Sequence, residues 1–137
     1  MSRYYLPRRN VNTTGLTFGA HIVKRIQVTE VSVLPKAEEP LKTEGRVVCE
    51  LTVEEDMLNG GGTIHGGCSA FLIDICSSMS ITMLRLATSD QDEFSVSQSL
   101  NMVYHSPAGL GDRIRLVNTT LTIGGRVLSA RTEARSH

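Results

Sequence analysis

NGGGTIHGGCSAFLIDICSSMSITMLRL, residues 59–86, is the stretch around which the rest of the chain is organised. Its head is a glycine cluster too permissive for the interior of a helix or strand. From Ala70 to Leu86 apolar residues then recur around most of a helical circumference, which predicts a helix buried on nearly all sides. Asp74 is the only formal charge between Asp56 and Arg85. A carboxylate there is costly unless it is paired, hydrogen-bonded or used. The residues alone leave two roles open, a polar anchor to a neighbouring strand and a functional carboxylate. His65-Gly66-Gly67 stands where the helix begins, so unpaired backbone N–H groups and the positive end of the helix dipole collect there.

Composition removes several classes of function. At 137 residues the chain has length for one domain with a real core. Zero formal net charge and 4% aromatic residues, with no basic-aromatic interleave, argue against a nucleic-acid partner. Cys49, Cys68 and Cys76 form an odd set without C-x-x-C spacing, which points to a reducing compartment. The apolar run around Asp74 is broken by that acid and by serines, and is read as too short for a membrane span. The first 29 residues carry Arg3, Arg8, Arg9, Lys24 and Arg25 and no acid. That is mildly like a mitochondrial presequence, although a basic tail on a cytosolic domain is the plainer reading; the expected location is cytoplasmic or mitochondrial.

Outward from the helix the chain reads as strands. Residues 1–20 show no period and form a poorly defined arm, and 21–137 form the domain. His21 to Leu34 is β-branched, with a phase slip between Val28 and Val31 that predicts a bulge. Gly45 to Val53 alternates cleanly. After a polar connection from Thr88 to Glu93, Phe94 to Tyr104 alternates Phe94, Val96, Leu100, Met102 and Tyr104 against Ser95, Ser97, Ser99 and Asn101. A turn at His105 to Gly111, a strand at Arg113 to Ile123, a Gly124-Gly125 hairpin and a return strand at Arg126 to Arg135 complete the order. This is an α+β pattern, one antiparallel sheet curled around one long helix. A single sheet covers only part of such a helix, so a second sheet is expected against it, most simply from a second copy.

Asn59, Gly62-Thr63-Ile64-His65-Gly66-Gly67 and Asp74, followed in register by Ser95-Val96-Ser97 and Asn101-Met102-Val103-Tyr104-His105-Ser106-Pro107-Ala108, resemble the hotdog-fold acyl-CoA thioesterases. The group is the phenylacetate-pathway (PaaI-like), acyl-CoA thioesterase 13 type, and the similarity runs from about Lys24 to Glu133. The resemblance implies a hotdog fold and a homodimer or dimer of dimers. It also implies acyl-CoA as substrate, with a place in fatty acid metabolism and no metal or redox cofactor.

The resemblance further implies the site. Asp74 is general base or nucleophile, and a buried carboxylate gains the basicity this needs. Gly67 lends its backbone N–H to the developing oxyanion. His65 orients the thioester beside Gly66, Asn59 places the water, and Ser97 supports Asp74. Because the site forms between two chains, Asp74 is expected at the partner's His65-Gly66-Gly67 entrance. Each residue also has a plainer structural role: Gly67 as a turn glycine, His65 as a loop histidine satisfying backbone groups, Asn59 as a turn asparagine.

Rival chemistries are weaker. Cys68 beside His65 at a helix start is a conceivable nucleophile, but such a cysteine more often fills apolar space. His65 and Asp74 lack a third metal ligand. The glycines lack the lysine of a phosphate loop. The family continues into one further turn and strand, and here the chain stops at Ala134-Arg135-Ser136-His137, so the last family strand is expected to be missing. An unpaired sheet edge and a weaker dimer would follow. A non-catalytic acyl-binding or regulatory module, or an inactive truncated form, is therefore the alternative function.

Overall fold

The computed structural model describes residues 17–89, 96–124 and 127–136. Predictions for residues 1–16, for 90–95 and for the second glycine of the hairpin lie outside them. A short helix α1 (Ala20–Val23) leads into strands β1 (Gln27–Pro35) and β2 (Thr43–Thr52). A 3₁₀ turn (Glu55–Met57), the long helix α2 (Gly66–Ser89) and strands β3 (Arg113–Ile123) and β4 (Leu128–Ser136) follow. The strands form one antiparallel sheet in the order β1-β2-β3-β4. The phase slip is a bulge between Val28 and Glu30. The α+β pattern holds, with α2 laid across the sheet against β2, β3 and β4.

Packing follows from spacing. Leu72, Cys76, Ser80 and Leu84 recur every four residues, make one ridge of α2 and are all buried. They meet Val47, Cys49 and Leu51 of β2 and Ile114 and Leu116 of β3, the inward positions of a two-residue alternation. Gly45 lets the layers close: a Cβ there would lie 2.8 Å from the Leu84 Cβ and 2.8 Å from the Ser80 carbonyl oxygen. Two buried polar residues on β3 are satisfied. Asn118 Nδ2 donates to the Val47 carbonyl at 2.9 Å, and its Oδ1 accepts from the Thr132 hydroxyl at 2.7 Å. Thr120 Oγ1 accepts the Gly45 N–H at 2.9 Å. Burial without a partner would cost each about 1–3 kcal/mol.

Four expectations are corrected. The first strand does not begin at His21, because residues 20–23 close a turn of helix first. Helix α2 is not buried all round: one sheet reaches one face, and Met83 and Leu86 stay exposed. The apolar run is not too short, since Gly66–Thr88 has the length and a mean hydropathy of 1.5 that would cross a membrane. Its buried ridge identifies it as the core helix of this sheet. Finally, Val96 to Tyr104 is not a strand. Alternation chooses a face but supplies no hydrogen-bonding neighbour, and no described strand pairs with this segment. Val96 and Val103 are left exposed.

Candidate active site

The entrance to α2 is built by its neighbours. The Asn59 side chain folds the glycine loop: Oδ1 accepts the N–H groups of Gly61 (2.8 Å) and Thr63 (3.2 Å), and Nδ2 donates to Thr63 Oγ1 (3.0 Å). Gly62, at φ 81, supplies the left-handed residue this turn requires. The loop is then pinned from both sides. Ile64 N–H donates to the Ala108 carbonyl and His65 N–H to the Met57 carbonyl, each at 2.8 Å. The Ser-Pro-Ala turn thus abuts the entrance, held in shape by Gly109 N–H on Asp112 Oδ2 at 2.8 Å.

His65 is the N-cap of α2. Its carbonyl accepts Ser69 N–H at 3.0 Å, and its Nδ1 accepts Gly67 N–H at 2.9 Å. A Cβ on Gly67 would lie 3.0 Å from that nitrogen, so glycine is what lets the ring approach. A neutral imidazole accepting at Nδ1 carries its proton on Nε2. The Gly66 N–H has no acceptor among the described residues. His65 and Gly67 are both exposed, so the cap faces outward.

Asp74 lies eight residues along, about 12 Å at the rise of an α-helix. It is half-buried, not buried as expected, because the sheet covers the opposite ridge. Its Oδ1 accepts from the Ser97 hydroxyl, and its main-chain carbonyl accepts from the Ser78 hydroxyl at 2.8 Å. One chain therefore brings together two groups of the expected residues. Asp74 is paired with Ser97, and His65 with Gly67 and the Asn59 loop. Within one chain these groups lie a helix segment apart. Tyr104 was missed: its hydroxyl donates to the Gly66 carbonyl at 3.0 Å. Its place in an alternating segment suggested only a core-facing residue.

Cys68 is a poor nucleophile here, since burial and then the Asp56 charge push its thiol above the usual range. Beside it Arg25 bridges Asp56 (2.7 Å) and Glu54 (3.0 Å), tying α1 to the 3₁₀ turn. Among the described residues no three His, Cys, Asp or Glu side chains gather as metal ligands.

Compared with known proteins, residues 61–137, more than half of the chain, match the thioesterase superfamily. Acyl-coenzyme A thioesterase 13 of Homo sapiens is 39% identical over 80 residues, 58% of this chain and 54% of that protein. The chain thus spans about half the length of the curated relatives it matches. Zebrafish thioesterase superfamily member 2 superposes with a TM-score of 0.67 at 29% identity, over 85% of this chain and 73% of its own. The Escherichia coli PaaI protein of the phenylacetic acid degradation operon shares the fold, with a TM-score of 0.66 at 17% identity over 90% of this chain and 75% of its own.

Proposed function

The chain belongs to the thioesterase superfamily, and from that premise we propose that it hydrolyses an acyl-CoA thioester to a free acid and coenzyme A. The supporting observation is Asp74: one carboxylate on an apolar helix, its Oδ1 held by Ser97. In this reading two copies pair through the half-covered face of α2, so that Asp74 of one protomer reaches the helix entrance of its partner. An axial rise of about 12 Å between Gly66 and Asp74 on one helix favours that arrangement over a site within one chain.

The chemistry assigns one task to each group. Asp74 takes a proton from water as the oxygen attacks the thioester carbonyl carbon. Asn59, whose amide shapes the loop, steadies that water. Negative charge grows on the carbonyl oxygen and meets His65 Nε2–H and the amides at the helix start. Gly66 N–H is the open donor, and Gly67 N–H, donated to His65 Nδ1, holds the ring in place for the reaction. The tetrahedral intermediate then collapses, the C–S bond breaks, and coenzyme A leaves as a thiolate that takes the proton Asp74 gained from water, which restores the carboxylate. No metal or redox group enters these steps.

The test is thiol release from acyl-CoAs of graded chain length, preceded by a measurement of molecular mass in solution. Turnover by a dimer or larger assembly is expected, with Asp74→Asn lowering kcat by about 100-fold or more. Undiminished hydrolysis by that variant removes Asp74 from its role. Binding of acyl-CoA without turnover replaces the enzyme with an acyl-binding module.

A further inference from the structure

The peptide unit between Gly66 and Gly67 is engaged at both ends. Its carbonyl, Gly66 C=O, accepts the Tyr104 hydroxyl at 3.0 Å. Its N–H, on Gly67, donates to His65 Nδ1 at 2.9 Å. The Tyr104 ring lies flush on Gly66, where an added Cβ would stand 3.5 Å from the hydroxyl oxygen and 3.6 Å from the ring. The same hydroxyl has a second acceptor, Met102 Sδ at 3.7 Å, but thioether sulfur is the weaker one and lies farther away.

We propose that Tyr104 is a positioning residue for the helix entrance, acting through the Gly66–Gly67 peptide on His65. Donation into an amide carbonyl draws electron density toward oxygen and makes the N–H of the same amide a stronger donor. The chain of bonds runs from Tyr104 O–H to Gly66 C=O, through the peptide to Gly67 N–H, then to His65 Nδ1. Holding Nδ1 as an acceptor keeps the neutral ring's proton on Nε2, where it faces out of the helix. Tyr104 thus sets both the orientation of the ring and the strength of the amide donor. Among the described residues, Tyr104 and Ser97 bond from segment 96–104 to groups of α2, and each reaches one of the two halves of the site.

The kinetic arm of the test rests on the thioester-hydrolase reading, and the spectroscopic arm does not. Tyr104→Phe keeps the ring against Gly66 and removes only the hydroxyl; Tyr104→Ala removes both. In Tyr104→Phe we expect kcat to fall about 3- to 10-fold, the effect of one hydrogen bond, with KM unchanged. The Gly67 amide proton resonance should also move upfield in a ¹H–¹⁵N spectrum. Wild-type kcat in Tyr104→Phe with loss only in Tyr104→Ala would make Tyr104 a packing residue and overturn the proposal, as would an unmoved Gly67 amide. If the wild-type protein turns over no thioester, the function reading falls, and the Gly67 amide alone decides this one.

Discussion

The two sides of α2 differ in kind. Toward the sheet, Leu72, Cys76, Ser80 and Leu84 are buried, and Gly45 lets strand and helix touch. On the other side α2 meets segment 96–104 through side chains, Ser97 on Asp74 and Tyr104 on Gly66. There Tyr104 is 61% exposed and Val96 89% exposed. The first side is self-sufficient: its own chain covers it, and its buried polar atoms are satisfied. The second side carries the groups proposed for the reaction and few buried contacts, which is where local stability is lowest. In the proposed reading, stability and chemistry lie on opposite faces of one helix.

Four measurements test that division. The largest effect is expected from Asp74→Asn, which should cut kcat by about 100-fold or more. Its urea midpoint should stay near wild type, because Asp74 is half-buried and lies on the face of α2 opposite the buried ridge. Leu116→Ala is the mirror experiment. Leu116 is 1% exposed, and its truncation should lower unfolding free energy by about 2–5 kcal/mol. Activity per folded molecule should be retained, and a comparable loss of kcat would show that the two faces are coupled.

Gly45→Ala sharpens the comparison by pushing the layers apart. The new Cβ meets backbone and Cβ atoms at 2.8 Å, so about 1–3 kcal/mol of stability should be lost, read by thermal or urea unfolding. The smallest effect belongs to the Arg25–Asp56 pair at the edge of the entrance. The Arg25 hydrogen bond, with its charge adding to it, holds the Asp56 carboxyl below its usual range. A lowered carboxyl pKa stabilises the fold above the unfolded value near 4, and that contribution is lost as pH falls through the folded value. Urea midpoints taken from neutral pH down to about pH 3 should therefore fall less steeply in Asp56→Asn. The difference at neutral pH should be under about 1 kcal/mol, because both partners remain in contact with solvent.

Legibility in the sequence divides along the same helix faces. Strand β3 was read at Arg113 to Ile123, the bounds it has, because its inward residues Ile114, Leu116, Asn118 and Thr120 alternate without interruption. The bulge in β1 was read from a slip in that same alternation. Segment 96–104 alternates as well and still is not a strand, since pairing depends on a neighbour that no local pattern encodes. At the site, glycine spacing located the entrance. The bond from His65 Nδ1 to Gly67 N–H, which combines the turn-glycine and loop-histidine roles, came from the fold. Tyr104 belongs to the segment that carries the family resemblance, but neither that nor its period pointed to a bond with the helix entrance. Its partner Gly66 is 38 residues away in sequence, and only the fold brings the two together.

By itself the sequence determined which residues of β2 face inward, where the helix begins, and that one acid sits among apolar neighbours. Those properties follow from periodicity and composition, which act over a few residues. Tertiary structure decided which ridge of α2 the sheet covers, which hydroxyl holds Asp74 and which carbonyl holds Tyr104. Those contacts depend on distances between segments far apart in the chain, and such distances exist only once the layers have packed.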